Sequence, residues 1–260
     1  MKRIAFIIVT LSMVFVITYS ALSKRFVSDK LLFKQTIYSQ MTSDPYLSVE
    51  VFSNADSLYT ELDAIEYLYI GSLDEHHKLM PKSVDIQKGG IYSYLGDDFQ
   101  KYTYKLELPS LEIDYYIKDC YLNIWLKNGD RLQAQIGRLS LMKPSTNQDF
   151  SIVNQYGNNI DEGQFLNHIT VDISSNRPIL VESVCYTVNH CVELKQSVVS
   201  QQSLEIDIET DAFYYQTTAL KIFYTVEGEL FYQTMNTFKY FEHMTNIIPE
   251  NSFNRIYVTN

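Results

Sequence analysis

The chain has 260 residues, of which 46% are hydrophobic and 20% are charged, and its formal net charge at pH 7 is −10. This length and apolar content suffice for one large domain or two small ones and exclude a disordered chain. A nucleic-acid-binding protein needs a basic face for the phosphates, so the acidic balance predicts no nucleic-acid partner.

The N-terminal segment has the features of a membrane anchor. Residues 4–22 carry no charge, and as a helix they would span roughly 28 Å, close to the thickness of a bilayer core. Lys2 and Arg3 precede the run, and basic residues at that end favour a cytoplasmic N-terminus. The sequence therefore predicts a signal-anchor transmembrane helix over residues 1–25 and a single-pass cell-membrane protein whose C-terminal part lies outside the cytoplasm.

A cleaved signal peptide is the alternative for the same segment. Ala21 and Ser23 supply the small residues that a cleavage site needs, and the protein would then be secreted. A lipoprotein is excluded because the first cysteine of the chain is Cys120, far beyond the apolar run.

Residues 26–45 link the anchor to the rest of the chain. Helical spacing is seen at Leu31, Leu32, Gln35 and Tyr38, and Asp44-Pro45 ends the segment. The segment is predicted to be a short helical or irregular juxtamembrane stalk.

From Tyr46 onward the sequence indicates antiparallel β structure. The chain contains 21 Tyr and 14 Phe, residues that favour strands, and apolar and polar residues alternate in many places. Three hairpins are predicted, at Asn128-Gly129, at Glu227-Gly228 and near Val188-Asn189. The Asn-Gly pair is the strongest of these signals and predicts a type I′ turn.

Two parts of the chain share a pattern. Residues 111–114 and 204–207 both read LEID, and each is followed by a Tyr pair, at 115–116 and 214–215, and then by a predicted hairpin. This order suggests an internal duplication with a period near 95 residues, close to the size of a β-sandwich domain of about 100 residues.

The predicted fold is therefore mostly β. It consists of the transmembrane helix followed by two tandem antiparallel β-sandwich-like units, at residues 46–146 and 147–260, and the alternative is one large β domain. The organisation resembles, at the level of class, the tandem immunoglobulin-like ectodomains of single-pass surface proteins. No motif points to a named family.

The cysteines predict one possible disulfide. Cys185 and Cys191 flank the third hairpin and would be bridged if they lie directly opposite each other. So short a loop would contribute about 2 kcal/mol. Two inert thiols are the alternative. Cys120 would remain single, as a buried small hydrophobic residue.

Other candidate sites are weaker. Cys185, His190 and Cys191, with His168 as a fourth ligand, lack the paired spacing of a zinc site, so no metal or cofactor is predicted. Four Tyr and one Phe within residues 91–105 favour a half-buried strand over a sugar-binding platform.

No signature of catalysis is present: the chain has no GxSxG, SxxK, HExxH or Gly-rich phosphate loop. The sequence therefore predicts a protein that is not an enzyme. It would be a membrane-anchored extracytoplasmic β-rich protein that binds another protein or an envelope component. The alternatives are a structural subunit of a membrane machine and an exported hydrolase.

Overall fold

The computed structural model describes the chain in five stretches, residues 29–94, 97–158, 166–209, 214–238 and 253–258. The predicted anchor at residues 4–22 lies outside them. Within them, none of the helices has the length and hydrophobicity needed to cross a bilayer. The described helical segments are two 3-10 turns, Leu58–Thr60 and Leu62–Ala64.

The structure is mostly β, as predicted. The strands of the first half are β1 (Asp29–Lys34), β2 (Thr36–Met41), β3 (Tyr46–Ser53), β4 (Ile65–Gly71), β5 (Lys78–Leu79), β6 (Ser83–Tyr94), β7 (Asp97–Glu107), β8 (Tyr115–Leu126) and β9 (Arg131–Met142). Those of the second half are β10 (Phe150–Asn158), β11 (His168–Ser175), β12 (Ile179–Thr187), β13 (His190–Val198), β14 (Gln201–Asp207), β15 (Tyr214–Val226), β16 (Glu229–Phe238) and β17 (Phe253–Val258).

A first core lies between a five-stranded sheet and the β4–β8–β9 region. The five strands follow the order β17-β1-β3-β7-β6 and are all antiparallel. Alternation decides which residues enter the core. Leu47, Val49 and Val51 of β3 are at most 1% exposed and pack into the same cluster as Ile124 of β8.

A second core lies between a three-stranded sheet, β10-β11-β14, and the strands β12, β15 and β16. Ile169, Val171 and Ile173 of β11 alternate into it and are fully buried, as is Ile222 of β15. The second core thus has the same layered construction as the first, a small sheet packed on part of a larger one.

The larger sheet is continuous across both cores. Its order is β13-β12-β15-β2-β9-β8-β4-β5, with β16 beside β15. β2 runs parallel to both of its neighbours, so that Thr36 lies opposite Tyr214 on one side and Gly137 on the other. One six-residue strand therefore joins the two halves of the protein.

The predicted stalk is wrong from Asp29 onward, because residues 29–34 and 36–41 form β1 and β2. In β1, Leu31 and Phe33 face the first core while Leu32 packs on the other face with Phe52 and Phe99. A strand that is buried on both faces does not alternate apolar with polar residues, so β1 lacks the two-residue period by which a strand is recognised in the sequence.

All three predicted hairpins form, as β8–β9, β12–β13 and β15–β16. The type I′ turn predicted at Asn128-Gly129 is wrong, because only Gly129 has positive φ (94°) and the Gly129 amide bonds to the Leu126 carbonyl at 2.9 Å. Asn128 instead accepts a hydrogen bond from the Asp130 amide at 3.0 Å. The Leu126 amide donates to the Asp130 carbonyl at 2.9 Å, so these two residues close a three-residue loop, 127–129, with Gly129 in the left-handed position. The turn with two positive φ values is Glu227-Gly228.

The proposed duplication is only partly reflected in the structure. Both Tyr pairs begin a strand, β8 or β15, but residues 111–114 lie in a connection whereas residues 204–207 belong to β14. Ile124 and Ile222 are both fully buried, each in its own core. Two separate sandwich units would place the two hairpins in separate sheets, but both hairpins lie in the same sheet.

The alternative of one β domain, with two cores, therefore describes the sheet better. The boundary between residues 146 and 147 does fall in the connection between β9 and β10, which separates the two cores. Independent folding of residues 46–146 and 147–260 stays a prediction.

Gly137 allows β2 to approach β9. Its φ is +116°, and a Cβ atom there would lie 2.0 Å from the carbonyl oxygen and 2.6 Å from the amide nitrogen of Thr36. Both atoms belong to the backbone of β2, so no side-chain rotation relieves the contact.

We expect Gly137→Ala to lower the free energy of unfolding by about 3 kcal/mol or more, because β2 must move away from β9. Gly129→Ala is the matched control. Gly129 also has positive φ (94°), but nothing lies within 4 Å of a Cβ atom there. Gly129→Ala should therefore lower the free energy of unfolding by only about 1 kcal/mol, because alanine is strained at positive φ. Chemical denaturation measures both variants, and equal losses would show that the approach of β2 is not constrained at Gly137.

Candidate binding surface

The outer face of the three-stranded sheet carries a ladder of polar side chains. Because Ile169, Val171 and Ile173 point into the second core, their neighbours on β11 point away from it, and cross-strand partners share that face. We call this surface the ladder face. Its residues are Asn154, Tyr156, His168, Thr170, Asp172, Ser203, Glu205 and Asp207.

His168 is the centre of the ladder face. Its Nδ1 lies 2.8 Å from Asp207 Oδ1 and its Nε2 lies 2.6 Å from Glu205 Oε2. The imidazole is 14% exposed, whereas the carboxylates are 56% exposed in Glu205 and 87% in Asp207. Both carboxylates therefore keep much of their surface in water while the imidazole holds them in place.

The electrostatics of this group favour the charged imidazole. Partial burial lowers the pKa of His168, but the hydrogen bonds to Asp207 and Glu205 and their negative charges outweigh it, so the pKa is raised above its ordinary value. With both ring nitrogens engaged by carboxylates, His168 has no nitrogen left to activate a nucleophile.

Further hydrogen bonds hold the other side chains of the ladder face in place. The Thr170 hydroxyl donates to Glu205 Oε2 at 2.8 Å, and the Ser203 hydroxyl donates to Asp172 Oδ1 at 2.6 Å. Tyr156, which lies opposite Thr170, is 45% exposed. The surface thus combines an exposed aromatic ring with three carboxylates and a single imidazole, which suits it to donors and cations.

Among these residues, the sequence offers only His168 as a candidate site residue, as a fourth zinc ligand, and it places Glu205 and Asp207 only in the repeated LEID element. His168 is separated by 37 and 39 positions from the carboxylates that it contacts, so no local spacing joins them. The available signal was the alternation of polar with apolar residues in His168–Ser175 and Gln201–Asp207, which marks two strands with one exposed face.

The structure joins Cys185 to Cys191 by a disulfide between directly opposed positions of β12 and β13. These sulfurs are therefore not available as zinc ligands beside His190. In the part of the chain that the structure describes, no three His, Cys, Asp or Glu side chains are grouped to hold a metal ion. Cys120 is buried, and burial raises the pKa of its thiol.

The described histidines do not form a nucleophile–imidazole–carboxylate chain. His76 and His77 lie in the exposed turn between β4 and β5, where the His76 amide donates to Asp74 Oδ1. His190 Nδ1 lies 2.7 Å from the hydroxyl of Thr187, which is fully buried. Within the described ranges, no imidazole is hydrogen-bonded both to an accessible hydroxyl or thiol, from which it could take a proton, and to a carboxylate that would orient it.

In the aromatic segment, residues 91–94 and 97–105 belong to β6 and β7, and several of their rings are buried. Phe99 is 2% exposed and Tyr104 is fully buried, with its hydroxyl donating to the Tyr59 carbonyl. Trp125 stacks on Tyr67 and Tyr69, with centroid distances of 4.8 and 5.4 Å. These intramolecular stacks occupy ring surface that a bound sugar would need.

Comparison with known proteins gives no family. No family model matches the chain, and no curated protein matches it. Among solved structures, the chain is similar to the CupB2 chaperone of Pseudomonas aeruginosa, at 9% identity over 78% of this chain and 97% of that one, with a TM-score of 0.22. The D00-D0 domain of intimin matches at 10% identity over 82% and 100% of the two chains, with a TM-score of 0.20.

Titin domains z1z2, in a complex with telethonin, match at 9% identity over 80% of this chain and 93% of that one, with a TM-score of 0.22. Similarities at this level carry no argument about function. The fold is defined by the sheets described above.

The histidine of the ladder face predicts a pH dependence. A raised folded-state pKa means that the stabilising contribution of His168 is full below the unfolded-state value of about 6.5 and is lost as the pH rises through the folded-state pKa. Relative to His168→Gln, the wild-type chain should therefore lose free energy of unfolding above about pH 6.5. Denaturant unfolding at a series of pH values measures the difference.

Nuclear magnetic resonance titration of the imidazole tests whether the two carboxylates raise the pKa of His168. Glu205→Gln should lower the pKa of His168, because it removes one carboxylate and one charge-assisted hydrogen bond. Glu193→Gln is the control, since this exposed carboxylate pairs with Lys195. If the pKa of His168 is unchanged in Glu205→Gln, the contact between these two residues on the ladder face is contradicted.

Proposed function

We propose that the protein is a membrane-anchored, extracytoplasmic and non-catalytic protein that binds a basic surface of another envelope protein through the ladder face. The observation that carries this proposal is the ladder face itself. It is an open sheet surface on which Tyr156 is exposed beside carboxylates that His168 and Thr170 hold in place.

The form of the surface favours a macromolecule over a small ligand. Small-molecule sites are concave and mostly apolar, whereas the ladder face is the outer side of a three-stranded sheet. Three strands of eight or so residues cover about 25 Å by 10 Å, which is the central part of an interface of about 800 Å² per partner. Tyr156 would supply the aromatic anchor that such interfaces favour.

Charge favours a basic partner. Asp172, Glu205 and Asp207 outnumber the single imidazole of His168 on this face, and the whole chain has a net charge of −10. Opposite charge on the partner would accelerate encounter and set orientation, and salt would weaken it.

Two features support the proposed location. The uncharged run at residues 4–22, with Lys2 and Arg3 before it, supports an anchor with the C-terminal part outside the cytoplasm. The Cys185–Cys191 disulfide supports an oxidising compartment.

The test is crosslinking on intact cells with a reagent that does not cross membranes, followed by affinity purification of the full chain. We expect one stoichiometric partner, recovered about tenfold less with the double variant Tyr156→Ala/Glu205→Gln, because an interface anchor and a fixed charge are both lost.

The matched control is Tyr46→Ala/Glu66→Gln. Tyr46 is 47% exposed, against 45% for Tyr156, and both control residues lie away from the ladder face. Equal recovery with both double variants would overturn the role of the ladder face, and the absence of any partner would overturn the binding function. Crosslinks that form only after lysis would contradict the proposed location.

A further inference from the structure

The disulfide lies where the two halves of the protein meet. Cys185 is 3% exposed and packs in a small cluster with Met41 of β2, Met142 of β9 and Ala219 of β15. These three strands are neighbours in the continuous sheet. The bridge is therefore part of the contact between the β12–β13 hairpin and the strand that joins both cores.

Two hydrogen bonds hold the tip of that hairpin in place. The Ser39 hydroxyl of β2 donates to the Tyr186 carbonyl at 2.8 Å, and the Val188 amide donates to the Ser140 hydroxyl of β9 at 2.9 Å. Both bonds involve residues within three positions of Cys185 or Cys191, so the cross-link and the docking of the tip belong to one local structure.

The backbone pairing beside the bridge is irregular. The β12–β13 ladder shifts register between Val181 and Ser183 and again between Cys185 and Thr187. A ladder interrupted on both sides of a residue pair gives that pair less support. The covalent bond therefore does more to hold the tip here than it would in a regular ladder.

The two cysteines differ in exposure. Cys191 lies on β13, the edge strand of the nine-stranded sheet, and is an exposed residue, whereas Cys185 is buried in the junction cluster. A thiolate must reach the sulfur that it attacks. Of the two bridged cysteines, Cys191 is therefore the residue exposed to a reagent from solution.

We propose that Cys191 Sγ is a thiol–disulfide exchange site and that opening the bridge there loosens the hairpin tip from β2 and β9. The co-reactant is a dithiol, either a small molecule or the reduced active site of a thiol-bearing protein. This inference does not depend on the ladder face or on the proposed partner.

The exchange proceeds in two steps. A thiolate of the dithiol attacks Cys191 Sγ, the sulfur–sulfur bond to Cys185 breaks, and the Cys185 thiolate leaves and takes up a proton. The second thiol of the reagent, as its thiolate, then attacks the reagent's own sulfur in the mixed disulfide and releases the Cys191 thiolate, which is also protonated. The reagent ends as a disulfide, and the protein has gained two electrons and two protons.

The site is tested with the purified full chain and limiting glutathione, a monothiol whose mixed disulfide is preserved by rapid acid quenching before the freed cysteine thiolate displaces it. After acid quenching and alkylation of free thiols, peptide mass spectrometry compares the adducts on the two cysteines. We expect about tenfold more adduct on Cys191 than on Cys185, because access decides which sulfur is attacked. Cys120→Ser is the background for this experiment, since it removes the third thiol without touching the bridge.

The loosening is tested by hydrogen exchange of the same chain, oxidised and after full reduction by dithiothreitol. The Val188 amide, which bonds to Ser140, should exchange about tenfold faster after reduction if the tip opens locally. The Leu122 amide, in β8 of the first core, should keep its rate. Equal adducts on both cysteines, or more on Cys185, would overturn the exchange site, and an unchanged rate at Val188 would overturn the loosening.

Discussion

The parallel pairing of β2 with both β15 and β9 is the interaction on which the rest of the structure depends. All six residues of Thr36–Met41 are buried, and the strand gives each half of the protein a neighbour in a common sheet. Without β2, β15 and β9 would each have an unpaired edge at the place where the two cores meet. Gly137 is the local condition for this pairing, since a side chain there would collide with Thr36.

Polar contacts near β2 also connect the two halves of the protein. Lys221 of β15 reaches Asp114, in the connection before β8, at 2.8 Å, and its side chain is only 9% exposed. Ser145, in the connection after β9, accepts a hydrogen bond from the Thr234 amide of β16 at 3.0 Å and donates its own amide to the Thr234 hydroxyl at 2.9 Å. Lys221 is largely buried whereas Asp114 is partly exposed, so removing Asp114 would leave the lysine charge with little access to water. These contacts help to fix the second half relative to the first. The disulfide-linked hairpin adds to the same region.

How far the sequence predicts the structure depends on whether its signals are local. The hairpins at Gly129 and Gly228 are predicted because a turn and two alternating arms lie together in the chain. β2 is missed because its partners, Gly137 and Tyr214, lie far away in sequence and because both of its faces are buried. The ladder face is missed for the first of these reasons, since the two carboxylates that contact its imidazole, Glu205 and Asp207, come from β14 and the imidazole comes from β11. The shared LEID sequence misleads, because four residues in a connection and four in a strand have different environments.

The central claim is that β2 makes one cooperative unit of two cores, and native-state hydrogen exchange on an Ile222→Ala variant tests it most directly. Ile222 is fully buried in the second core, and its truncation should cost about 3 kcal/mol. If the cores unfold together, protection of the Leu122 and Ile124 amides in the first core falls by the same factor as that of amides in β11 and β12. If those two amides keep their wild-type protection while the second core loses its own, the halves are independent units and the claim is contradicted.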